Sequence, residues 1–310
     1  MLLATDDIST LEHLGSMIGV QGYQLGSFLA VLLVSIIVGM IGTLVVGNRM
    51  AFFSDAMAHC AFAGIALGYL MTFVFYSNPK YDEYHWLLPL IMVGFGSLIG
   101  IGIAFVREKS GLADDTVIGV FFAGAIGFGA MLLTGLERKR GFNPEGFMFG
   151  SPLFVKSIDL VYLLLLVILI ILFLWRHYNE FVFSSFSQSL AKSRQIPTSK
   201  NHYIFILLLA LIVNLAIVAV GVLLINAMLI VPAATGSNLA KNLRQLFWYT
   251  IGISVACSIS GLMISKRLLL TFYGESIRFG PSGTIICLTV ACFFVSMLIA
   301  SLNQSRFRNS

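Results

Sequence analysis

The residues best suited to chemistry lie in one stretch, Asn48-Arg49-Met50-Ala51-Phe52-Phe53-Ser54-Asp55-Ala56-Met57-Ala58-His59. Asp55 and His59 are four positions apart, so a helix would place both side chains on one face, one turn apart. A carboxylate oxygen and an imidazole nitrogen can then hold one cation together. That donor mixture suits borderline first-row metals such as Mn²⁺, Fe²⁺ and Zn²⁺. An acid at the middle of a membrane helix costs roughly 2.5–3.5 kcal/mol on insertion scales, so an ionisable residue there is a functional candidate by default. Spacing alone also allows a helix that starts near Ser54. Asp55 would then be a first-turn acid and His59 an interfacial histidine. Two ligands do not complete a metal site, and further ones would have to come from neighbouring helices.

Other chemistries find no support. There is no HExxH pair for a helix-borne zinc protease, no GxSxG nucleophile elbow and no GxxxxGK[ST] phosphate loop. The chain therefore does not hydrolyse ATP by itself, and any ATP-driven step needs another subunit. Cys60, Cys257, Cys287 and Cys292 sit in apolar stretches without a CxxC pair and read as small buried hydrophobes. Asp115-Thr116 reads as a helix cap, His85 beside Trp86 as part of an interfacial aromatic belt, and His177 and His202 as solvated loop residues. The 12 methionines scatter through apolar runs as core filling rather than a thioether path.

The elements that must position Asp55 and His59 follow from composition. Of 310 residues, 58% are hydrophobic and only 11% charged. So few charges cannot solvate a water-facing surface, so lipid is the expected solvent. The net charge of +5 is dispersed in short clusters between apolar runs, as in membrane-face loops; nothing resembles a nucleic-acid stripe. Apolar segments run over Gly22–Val46, Ala51–Phe75, Trp86–Val106, Val117–Leu136, Ile158–Trp175, Tyr203–Ala234, Leu246–Ile264 and Thr284–Leu302. A bilayer core takes roughly 20 helical residues to cross. The runs lack the dyad alternation of barrel strands. The expected fold is all-α, a polytopic transmembrane helical bundle of about 8 spans, possibly 9, forming one transmembrane domain over residues 1–310. Tyr203–Ala234 is too long for one span, and Gly221, Asn226 and Pro232 mark where a break would fall, leaving a shorter or re-entrant piece. Small residues at four-residue spacing (Ser35/Gly39/Thr43, Gly64/Gly68, Gly96/Gly100, Gly119/Ala123/Gly127) predict close helix contacts. The first residues, with Asp6, Asp7 and Glu12, lack the basic region of a cleaved signal, so the first apolar run is expected to be a retained helix. Lys/Arg counts on alternate loops are nearly balanced and give no orientation.

The run Arg49–His59, followed by Ala63-Gly64-Ile65-Ala66-Leu67-Gly68, resembles the permeases of metal-ion ABC transporters, the zinc/manganese/iron uptake family called ABC-3. Further matches keep that family's order: Asp115-Thr116-Val117-Ile118-Gly119, Phe149-Gly150-Ser151, Val220–Thr235 and the turn Gly280-Pro281-Ser282-Gly283. The resemblance spans Gly22 to Leu302.

What it implies is an importer of two permease chains, two cytoplasmic ABC ATPase chains and an extracytoplasmic metal-binding solute-binding protein, in a bacterial inner membrane. The second permease chain can be identical or different. Asp55 and His59 map to the pair that contacts the ion in transit. No cofactor is implied as permanently bound; Mn²⁺, Zn²⁺ or Fe²⁺ is cargo. The loop expected to dock into the ATPase maps to Phe186–Lys192, continuing to Ile196-Pro197, with Phe186, Leu190, Ala191 and Pro197 as its marker residues. Here the chain departs from the pattern: Ser187 stands where an acid is common, and Gln195 where a glycine is common. The segment Glu137–Lys156 is also longer than usual. Both departures fit pairing with a non-identical second permease. The alternatives are a permease for iron chelates or another small nutrient, and an intramembrane metalloenzyme using the same two residues.

Overall fold

A computed structural model of the chain describes residues 22–75, 87–140, 150, 155, 157–186, 191, 193–195, 197–267, 269–272 and 275–308. The elements are α1 (Gly22–Gly47), α2 (Ala51–Phe75), α3 (Leu87–Ser110), α4 (Asp114–Arg140), α5 (Ser157–Phe186), α6 (Thr198–Val220), α7 (Val222–Leu239), α8 (Leu243–Arg267), β1 (Leu269–Phe272), β2 (Glu275–Arg278) and α9 (Pro281–Arg308). Among the described residues nine helices are long and apolar enough to cross a membrane. In lipid a backbone can satisfy its polar groups only within its own segment or a closed barrel, so apolar runs of this length become helices.

The long segment does divide, and the residue responsible is Gly221. It sits at φ 90, ψ 162 between α6 and α7, a conformation that a Cβ would strain. Gly150, at φ 57, lies against it; a Cβ on Gly150 would collide with the Val220 carbonyl. Asn226 and Pro232 do not break the chain, contrary to the expectation from sequence. Both lie inside α7, where Pro232 forfeits one backbone hydrogen bond without ending the helix. Two further differences concern extent. α5 runs 30 residues, well past its apolar run, so His177 is helical and pairs with Glu180 at 3.5 Å. The antiparallel hairpin pairing Leu269 with Arg278 and Phe272 with Glu275 has no apolar signature in the sequence and was not expected.

The chain divides into two compact units, one of residues 1–46, 148–176 and 219–310, the other of residues 47–147 and 177–218. In the first, α7, α8 and α9 pack mutually, and α1 joins them through its small residues. A Cβ on Gly39 would lie 2.8 Å from Ile251 Cα, one on Gly42 2.6 Å from the Leu229 carbonyl oxygen, and one on Gly261 2.7 Å from Ile285 Cα. Lipid tails are as apolar as leucine, so such close backbone approach, with hydrogen bonds such as Ser254 Oγ to the Ser35 carbonyl at 2.9 Å, supplies the association energy. Cys257 and Cys292 touch here, Sγ to Sγ 3.6 Å. Cys287 is exposed rather than buried, against the reading from sequence.

In the second unit α2 packs against α3 and α4. Gly64 meets Met92 Cα, where a Cβ would come within 3.1 Å, and Gly129 meets Ala63 Cα at the same distance. Gly96 lies against the buried Asn214 amide, whose nitrogen bonds the Ala210 carbonyl at 2.7 Å. Gly119 and Gly127 differ: a Cβ on either would meet nothing within 4 Å. Both glycines of the fourth row, on α4, therefore face open space, whereas the rows on α1, α2 and α3 seat neighbouring helices.

Candidate functional site

α2 begins at Ala51, so Asp55 is its fifth residue and not a first-turn acid. Ser54 is buried and turns its hydroxyl back to the Ala51 carbonyl at 2.7 Å, taking no part in capping. Met57, Ala58 and Cys60 are fully buried, as is Phe53. Phe52, Asp55, His59 and Phe62, spaced by three and four, form the one less buried stripe along this part of the helix. The pair keeps partial access: the Asp55 side chain is 43% exposed and that of His59 29%. The less buried side of α2 is thus the one that carries its ionisable residues.

The geometry within the pair assigns the histidine's protons. His59 Nδ1 lies 2.9 Å from the Asp55 carbonyl oxygen and 3.5 Å from Asp55 Oδ1. Both of those atoms accept, so Nδ1 carries a proton, and in the neutral ring Nε2 is the nitrogen with the lone pair. This is the arrangement in which a histidine ligates through Nε2 while its other nitrogen is held by a backbone carbonyl. The ring is steadied by Phe122 of α4, edge-on with centroids 5.1 Å apart and planes at 70°. Phe122 was not identified from sequence, because an aromatic residue in an apolar helix carries no signal of its own. No cluster of three or more His, Cys, Asp or Glu occurs among the described residues. The expected extra ligands from neighbouring helices are therefore not found among those residues, where Asp55 and His59 offer a cation carboxylate oxygens and one imidazole nitrogen.

The segment expected to dock an ATPase falls between α5, which ends at Phe186, and α6, which begins at Thr198. Phe186 caps the entrance, its ring against Gly47, where a Cβ would lie 2.6 Å from Cζ. Asn48 Nδ2 donates to Ser185 Oγ at 2.8 Å beside it. Ala191 is fully buried, Pro197 is exposed, and the Pro197 carbonyl accepts the Asn201 N–H at 3.0 Å to start α6. Leu190 lies outside the described residues, as do His85, Phe149 and Ser151. Gln195 sits at φ 56, the left-handed region. That explains a glycine in the pattern this residue departs from.

His202 is not a solvated loop residue. It lies in α6 and accepts at Nε2 from Arg107 Nη1, 3.2 Å away on α3. Next to it Tyr203 Oη donates to Glu108 Oε2 at 2.7 Å. Asp115, on the first turn of α4, lines a cleft with Arg49, Phe53, Arg107 and His202.

Residues 23–300 match a family described as the ABC 3 transport family. A manganese transport system membrane protein, MntC, of Listeria innocua is 27% identical over 267 residues, covering 86% of this chain and 87% of the relative. A high-affinity zinc uptake system membrane protein, ZnuB, of Haemophilus influenzae is 27% identical over 256 residues, covering 83% and 90%. The solved structure of PsaBC from Streptococcus pneumoniae in complex with Fab superposes with a TM-score of 0.71 at 24% identity, covering 88% of this chain and 90% of that one; at that identity the likeness concerns the fold.

Proposed function

The chain belongs to the ABC 3 transport family, and on that premise we propose that it is the membrane permease subunit of an ATP-binding-cassette importer for a divalent transition metal ion: manganese, zinc or iron. The observation that carries the reading is the Asp55–His59 pair, which sets carboxylate oxygens and an imidazole nitrogen on the less buried side of α2. A carboxylate facing lipid would be costly, so that side faces a polar path or a partner. Relatives named for manganese and zinc support the choice of cargo.

In this reading a solute-binding protein delivers the ion at the outer face of a bacterial inner membrane. Asp55 neutralises part of its charge and His59 Nε2 completes a weak, transient grip, with water or a second permease chain filling the remaining positions. Few protein ligands mean easy release, which a carrier needs and a resident metal site does not. The carboxylate and imidazole favour a bare ion over a bulky chelate. ATP hydrolysis resides on a separate cytoplasmic subunit, and residues 186–197, with Phe186, Leu190, Ala191 and Pro197, contact it and switch access from one side to the other.

The test is whole-cell metal content by elemental mass spectrometry, with the gene deleted and then restored as wild type or as His59→Ala. The expected result is that one of manganese, zinc or iron falls on deletion and that only wild type restores it. Unchanged content of all three metals on deletion would contradict the proposal.

A further inference from the structure

We propose that Arg107 and Glu108 of α3, with Ser199, His202 and Tyr203 of α6, form a clasp that makes α2 follow the movement of the ATPase-contacting segment, so that these five are positioning residues for transport. The inference rests on the reading of residues 186–197 as that segment.

Two adjacent residues of α3 grip two successive turns of α6. Glu108 Oε2 accepts from Tyr203 Oη at 2.7 Å and Oε1 from Ser199 Oγ at 3.5 Å, four residues earlier on the same face. Arg107 Nη1 donates to His202 Nε2 at 3.2 Å. A guanidinium can only donate, so His202 is held as the neutral Nδ1–H tautomer; a protonated ring would set two cations against each other. These contacts lie within the first turns of α6, immediately after Pro197.

The same two helices meet again further in. A Cβ on Gly100 would lie 2.9 Å from Ile206 Cγ2 of α6, 3.6 Å from Met57 Sδ and 3.7 Å from Phe53 Cζ of α2. Ile206, Met57 and Phe53 are each at most 1% exposed, and Met57 is two residues from both Asp55 and His59. Close-packed side chains of this kind have little room to absorb a shift. The segment's other end is fastened too: Ser185 and Phe186 hold Asn48 and Gly47, on the approach to α2. A displacement at Phe186 or at Pro197 therefore acts on α2 at its start through Asn48 and at mid-helix through α6 and α3. The alternative is that the polar contacts are ordinary surface hydrogen bonds, several of them exposed, contributing stability alone.

The two are separated by the metal delivered per ATP hydrolysed, measured in vesicles that hold the assembled permease, ATPase and binding protein. Tyr203→Phe removes one hydroxyl, and Glu108→Ala removes the acceptor for two. The clasp predicts that each lowers the metal-to-ATP ratio about fivefold, within the range for a lost hydrogen bond to a carboxylate, while ATP hydrolysis persists. The double variant should then be no worse than Glu108→Ala, because both changes remove one contact. A wild-type ratio in either single variant, or a parallel fall of hydrolysis and transport at a constant ratio, overturns the clasp. If the wild-type assembly moves no metal on ATP addition, the permease reading itself fails; wild-type transport with an unchanged Tyr203→Phe ratio sinks only the clasp.

Discussion

At the scale of single residues, Asp55 and His59 were legible because a helix forces i and i+4 side chains together whatever else surrounds them. What the sequence could not carry is the hydrogen bond from His59 Nδ1 to the Asp55 carbonyl, which directs the ligating lone pair to Nε2, nor the Phe122 edge that steadies the ring. Both depend on rotamer and on a helix more than 60 residues away in sequence. The histidines at 177 and 202 were misread for a related reason. Polar residues between apolar runs look like loop, yet here they lie within helices and find partners in Glu180 and Arg107. Gln195 gives a residue-scale prediction. Its φ of 56 costs a side chain about 1 kcal/mol relative to glycine. Gln195→Gly should raise the thermal midpoint of the purified protein in detergent, and Gln195→Val, β-branched, should lower it. An unchanged midpoint in both would mean that the left-handed turn is not populated.

At the scale of elements, periodicity and length identified the helices, and Gly221 was correctly among the residues suspected of interrupting one. Asn226 and Pro232 were suspected with it on residue type alone, but a membrane helix tolerates a proline where neighbours pack around it. The small-residue rows were legible as rows, not as contacts. Gly39 seats Ile251 and Gly64 seats Met92, while Gly119 and Gly127 face open space. Spacing shows which side of a helix is flat and says nothing of what lies across it. Gly39→Ala should therefore destabilise the protein by about 1–3 kcal/mol, since the Ile251 backbone cannot easily retreat. Gly119→Ala should stay within about 0.5 kcal/mol of wild type or gain slightly from helix propensity. Thermal unfolding in detergent compares the two directly. Equal losses would mean that the open row on α4 is in fact packed.

At the scale of the whole molecule, the shortage of charge and the succession of apolar runs were enough to read a polytopic helical membrane protein, and nine span-length helices with family membership over residues 23–300 agree with it. The division into two discontinuous units was not legible, because it arises from which helices pack together and not from any linker. Within the second unit α2 packs against α3 and α4, and Asp55 and His59 lie on its less buried stripe. The proposal that this less buried side lines the ion's path stands or falls on Asp55. The direct measurement is ATP-dependent uptake of radioactive manganese, zinc or iron by vesicles containing the assembled transporter with Asp55→Asn. That change keeps the size of the side chain and removes its charge. The account predicts an intact complex that hydrolyses ATP and imports no ion above background. Uptake at the wild-type rate would contradict it.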